Sequence, residues 1–164
     1  NKELNFNKFC QQIISHIEKS FAMKVIIKSE DYISIKVNKI LKIDFVNDVQ
    51  FRYGKLEKKE IYSKVDNLKN ILSNKLSALI SRDEAKDAVD IWVIAKNNQI
   101  DWKDIFLSAN SKAVGIFPPE IAKRLIEFPI DLLKRIKWIE NKQPTVKDFQ
   151  TDLNLICDAM LKAK

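Results

Sequence analysis

A chain of 164 residues, 46% hydrophobic and 31% charged, has the length of one domain with a real core and the composition of a soluble globular protein. No apolar run approaches the roughly 18 residues of a membrane span, and no signal-peptide layout is read at the N-terminus. The net charge of +7 favours no fold, but it suits an anionic partner.

The two cysteines, Cys10 and Cys157, are too few for a disulfide framework, so a reducing, cytoplasmic setting is expected. One histidine, His16, with two distant cysteines argues against a zinc site. The positive surplus is uneven: residues 1–70 carry 14 Lys/Arg against 9 Asp/Glu, residues 71–110 carry 5 against 6, and residues 111–164 carry 10 against 7. Basic flanks around a slightly acidic centre suit an anionic polymer held around a carboxylate site, and equally an ordinary basic protein.

In chain order, Asn5 to Phe21 spaces Phe6, Phe9, Ile13, Ile17 and Phe21 as an amphipathic helix. Three strands are predicted next, at Met23 to Lys28, Tyr32 to Val37 and Leu41 to Val46. They are separated by turns at Ser29-Glu30-Asp31 and Asn38-Lys39. Asp44 sits in the third strand on the face opposite Leu41, Ile43 and Phe45. Aspartate is disfavoured in strands, so it faces solvent or lines a site, and the residues alone favour solvent. Asn47 to Tyr62 reads as a polar connection. From Lys64 onward the pattern is helical, with Val65, Leu68, Ile71, Leu72, Leu76 and Leu79 on one buried face. Further helices are predicted from Asp101/Asp104 to near Lys112, from Pro118-Pro119-Glu120, over Ile130 to Ile139, and from Thr145/Asp148 with Phe149, Leu153, Ile156 and Met160 as its apolar stripe.

The most informative stretch is Asn74 to Trp92, NKLSALISRDEAKDAVDIW. Ser81 followed by Glu84 reads as a capping box, which ends one helix near Ile80 and starts the next at Ser81. On the second helix Asp87 and Asp90 form an i,i+3 pair beside an apolar stripe of Ala85, Ala88, Val89, Trp92 and Val93. With Lys75 one helix earlier, two carboxylates bordering a buried stripe suit a metal or phosphate site. The same charges also describe a solvated face with Lys86 and Asp90 as an i,i+4 pair, and spacing alone favours that reading.

The pattern K-L-x-A-L-x-x-R-D-x-x-K-D-x-x-D from Lys75 to Asp90, preceded by the strand LKIDFV, resembles the AbiEii/AbiGii nucleotidyltransferase toxin family. The resemblance runs from about Asn5 to the C-terminus and rests on these two motifs. It implies an α+β fold, with a small, mainly antiparallel sheet of a nucleotidyltransferase-like core followed by a helical C-terminal half. The expected division is 1–62 and 63–164, packed as one continuous unit. The implied activity is metal-dependent transfer of a nucleotide from a nucleoside triphosphate (NTP) to RNA, tRNA foremost, in a toxin-antitoxin or abortive-infection system with a cognate antitoxin. The implied catalytic set is Asp44, Lys75, Asp87 and Asp90, with Asp44 on Mg2+ and Lys75, Arg82 and Lys42 on phosphates. Asp44, Lys75 and one of Asp87 or Asp90 are then expected to share one concave surface.

The family's opening motif is a Gly-Gly/Ser turn before a strand carrying an Asp-x-Asp pair, and it is not found here. Gly54 and Gly115 are the chain's two glycines, and neither is placed for it. The chain is therefore expected to be a member lacking its front end, inactive by itself. Two alternatives stand beside this reading: a non-catalytic module that binds nucleic acid or protein, and an unrelated helical scaffold in which the charge spacing from Lys75 to Asp90 is coincidence. Within the family reading, Arg82 pairs with phosphate or, equally, makes an internal salt bridge with one of the aspartates.

Overall fold

The computed structural model describes residues 5–47, 52–62, 64–82, 84–139 and 142–163. The chain is α+β, with a three-stranded antiparallel sheet followed by a helical C-terminal half. It divides into two compact units, Asn1–Gln50 and Phe51–Lys164.

In the first unit, helix α1 (Phe6–Glu18) is capped by Asn5, whose side chain accepts a hydrogen bond from the Lys8 amide at 3.0 Å. Strands β1 (Met23–Lys28), β2 (Tyr32–Val37) and β3 (Leu41–Val46) fall where alternation and turn residues predict them. The sheet order is β1-β2-β3, so β2 is central. The β2–β3 turn is tight because Asn38 and Lys39 both take positive φ, and Asn38 is tied to the Ala22 backbone through its amide and side chain. Helix α1 packs Cys10 and Ile14 against Ile33, Ile35 and Val37, with Phe6, Ile17, Met23, Ile43 and Phe45 around them. The buried line on α1 therefore differs from the expected one. Cys10 and Ile14 form it, while Phe9 and Phe21 are exposed.

The second unit holds α2 (Leu68–Ser81), α3 (Ala85–Asn97), α4 (Trp102–Asn110), α5 (Pro118–Ile126), a 3₁₀ turn at Ile130–Arg135 and α6 (Val146–Lys162). Residues 52–62 group with these helices. Glu57 and Val65 form an isolated antiparallel bridge, which keeps Val65 out of the helix predicted from Lys64. Asn67 caps α2 and its Nδ2 also donates to the Tyr53 and Lys55 carbonyls, at 2.7 and 3.1 Å. Gly54, at φ 77°, makes that double contact feasible, because a Cβ there would lie 3.0 Å from the Asn67 amide nitrogen. The caps expected of Asp101 on α4 and Thr145 on α6 are both formed.

One core runs through this unit, from Leu72, Leu76 and Leu79 on α2 through Trp92 on α3 to Phe149, Leu153 and Met160 on α6. The rings of Trp92 and Phe149 lie 5.3 Å apart, and those of Phe149 and Phe128 5.6 Å apart. No helix among the described residues is long and apolar enough to cross a membrane.

Candidate functional site

The junction between α2 and α3 differs from the expected capping box. Ser81 is the last residue of α2, and its hydroxyl donates backward to the Ala78 carbonyl. Glu84 occupies the N-cap position of α3 without a side-chain bond to the helix, and Arg82 is extended between them. The Ser-x-x-Glu spacing is therefore realised as a helix end rather than a helix start. Asp83, the other half of the Arg-Asp pair, lies outside the described residues.

This junction turns Arg82 back over the first turn of α3. Its Nε donates to Asp87 Oδ2 at 2.7 Å and its Nη2 to Asp87 Oδ1 at 3.1 Å, a two-pronged contact that matches guanidinium to carboxylate geometry. From α2, Lys75 Nζ donates to Asp87 Oδ1 at 2.9 Å and pairs with Asp90 Oδ2 at 2.6 Å. The i,i+3 spacing of the two aspartates brings both within reach of one ammonium group. Asp90 is thus bridged to Lys75, not to Lys86 as the solvated-face reading has it.

Depth separates the members of this quartet. The Asp87 side chain is 1% exposed, Lys75 23%, Asp90 29% and Arg82 50%. Asp87 is therefore not a border residue of the apolar stripe but part of the interior. Burial pushes its carboxyl pKa up, yet the bonds from Arg82 and Lys75 outweigh this and hold it below the ordinary value. Burial likewise pushes the Lys75 pKa down, and Asp90 and Asp87 more than reverse it. Both groups are held in their charged forms, with each charge answered by a neighbour.

Asp44 and Lys42 belong to the first unit. They pair at 3.0 Å on the sheet face away from α1, as their spacing predicts. The Ser34 hydroxyl and Lys42 hold the Asp44 carboxyl below its usual range. The expected meeting of Asp44 with Lys75 is no part of either unit's internal geometry.

No group of three or more His, Cys, Asp or Glu side chains among the described residues is placed to hold a metal ion. Both Asp87 oxygens are taken by cations of this chain, and Asp44 is held by Lys42. The residues described therefore do not by themselves fit the Mg2+ that the resemblance implies. Compared with family models, curated proteins and solved structures, the chain matches none.

A groove of about 530 Å³ adjoins the quartet, with Leu79, Ala85, Ala88 and Phe128 in its walls and Arg82 and Lys123 among its charged groups. Arg82 is the quartet member that lines it. Sequence reasoning missed a second carboxylate of consequence, Asp152 on α6. It accepts from Trp92 Nε1 at 2.9 Å and from Lys96 Nζ at 2.7 Å, and the bonds of these two groups outweigh burial to keep its pKa low. An acidic residue one position before the buried Leu153 was the available signal.

Proposed function

We propose that this chain is the sheet-and-helix part of a nucleotidyltransferase-like toxin that moves a nucleotide from an NTP to RNA. What supports the reading is one observation: the four residues of the diagnostic motif, Lys75, Arg82, Asp87 and Asp90, form one connected constellation. In this scheme buried Asp87 is a positioning residue that fixes Arg82 and Lys75. Lys75 and Arg82, both part-exposed, present positive charge to phosphates, and Asp44 and Lys42 contribute a carboxylate and a cation from the sheet. A site for Mg2+ needs carboxylates beyond those described, so the chain alone is expected to transfer nothing.

The test uses the complete gene product that contains this chain, with each labelled NTP, magnesium and total RNA. One NTP is expected to label RNA, tRNA foremost, and Asp44→Ala or Lys75→Ala is expected to abolish labelling without unfolding the protein. Absence of labelling with all four NTPs, or labelling undiminished by Asp44→Ala, overturns the reading. A second reading, a binding module without catalysis, is favoured by the closure of the quartet on itself. It is the one to adopt if RNA binds while no NTP is ever consumed.

A further inference from the structure

We infer that the sheet of the first unit is a docking surface for the phosphodiester backbone of a single-stranded nucleic acid, gripped by Lys24, Lys36 and Lys42. This goes beyond nucleotidyl transfer, since it requires neither triphosphate nor metal.

The pairing register carries the inference. Lys24 on β1 stands opposite Lys36 on β2, and Lys36 stands opposite Lys42 on β3. The three lysines thus form one row across the whole sheet. Neighbouring members are roughly 5 Å apart at Cβ, so the row is about 10 Å long. All three are exposed, on the face that α1 leaves open. Like charges directly opposite each other weaken a sheet, and this row repeats that arrangement twice.

Two explanations internal to the chain fall short. Edge strands often carry lysine to block edge-to-edge association, which suits Lys24 and Lys42. Lys36 is on the central strand, which has no free edge to protect. A carboxylate neighbour answers only one end of the row: Asp44 pairs with Lys42, while among the described residues no salt bridge reaches Lys24 or Lys36. Lys24 and Lys36, joined by Lys39 from the β2–β3 turn, instead line a hollow of about 410 Å³.

The rest of the face is mixed, with exposed Ile27 opposite Ser34, exposed Val46 opposite Tyr32, and Asp44. The row of cations therefore carries the choice of a phosphodiester chain, and the vesicle arm of the test separates it from a membrane. Tyr32 alternates with Ser34 and Lys36 on β2 and therefore shares the open face, where a part-exposed ring offers a stacking surface beside the cations. A line of charge next to an aromatic ring is the layout by which a groove follows a backbone without reading sequence.

The test is fluorescence anisotropy of a labelled 16-nucleotide single-stranded RNA with the full chain, at rising salt and without NTP or magnesium. Three neutralised phosphates give an expected slope of log K against log salt of about −2. Lys36→Gln should reduce that slope by about 0.7 and Lys36→Arg should restore it. Changing Lys24, Lys36 and Lys42 together to Gln should weaken binding about tenfold or more at low salt. Circular dichroism establishes that each variant is folded, and Lys36→Gln alone carries the test if the triple variant is not. A DNA strand of the same sequence should bind comparably, because the row contacts phosphate. A slope unchanged in Lys36→Gln overturns the inference. So does lysine-dependent binding to phosphatidylserine vesicles without binding to either nucleic acid. Failure here leaves the transfer reading standing, and failure of the transfer assay leaves this one standing.

Discussion

The two units handle charge in opposite ways. At the α2–α3 junction two cations and two carboxylates answer one another around the buried Asp87, and the cost of burying that charge is offset inside the chain. On the sheet three lysines stand in a row with one carboxylate at one end, and water does the rest. A closed network of this kind holds a helix junction in place and offers a partner only the part-exposed sides of Lys75 and Arg82. An open row costs the sheet a little repulsion and keeps most of its charge available. The same residue types at similar density thus divide into a positioning device and a contact surface, and burial makes the difference.

The largest effect expected comes from the aromatic residue that ties α3 to α6. Trp92 is buried among Leu79, Phe149 and Trp138 and donates to Asp152, so Trp92→Ala should cost about 3–5 kcal/mol in urea unfolding. A loss under about 1 kcal/mol would mean that α3 and α6 do not share the core described.

Asp87→Ala should follow, at about 3 kcal/mol, because it strips Arg82 and Lys75 of a buried partner. Asp44→Ala, on the open sheet, should stay within about 0.5 kcal/mol. Equal costs at the two sites, measured by the same denaturation, would erase the contrast between them.

Acid sharpens the same contrast. The Asp87 carboxyl is held below its ordinary value of 3.8, so its contribution is complete above that pH and is lost as pH falls through the lower, folded value. Lys75 is held above 10.5, so its contribution is complete below that pH and is lost as pH rises through the higher, folded value. The melting temperature of the parent chain should therefore fall more steeply below about pH 4 than that of Asp87→Asn, which has no carboxylate to protonate. Parallel acid limbs would show that Asp87 is not held as described.

Much of this was legible in the sequence, for identifiable reasons. The three strands stand at their predicted bounds because alternation and the Ser29–Asp31 and Asn38-Lys39 turns are local signals. The caps of α4 and α6 follow from one side chain and the amide three residues on. Ser81 misled because Ser-x-x-Glu has the same spacing whether the serine starts a helix or, as here, bonds back to Ala78. The partners of Asp90 and Trp92 are tertiary facts. Lys75 lies on another helix and Asp152 is 60 residues along the chain, where no window of local pattern reaches. The lysine row was within reach but unread, since it emerges only when the strands are laid in register through their turns.

A small effect of opposite sign is the most discriminating for the open row. At about 5 Å in water, two like charges repel by roughly 0.8 kcal/mol, and flexible lysine stems relax part of this by splaying. Lys36 repels on both sides, so Lys36→Gln should stabilise the chain by about 0.2–1 kcal/mol at low ionic strength. The gain should shrink as salt rises toward 1 M, where the Debye length drops to about 3 Å, below the spacing of the row. Denaturation of both proteins at 20 mM and 1 M sodium chloride measures this directly. Glutamine removes the charge and keeps a polar side chain with part of the aliphatic stem, so a salt-dependent gain isolates the electrostatic part. A variant that is less stable than the parent at both salt concentrations would mean that Lys36 supports the sheet, and the row would then be structural rather than held open for a ligand.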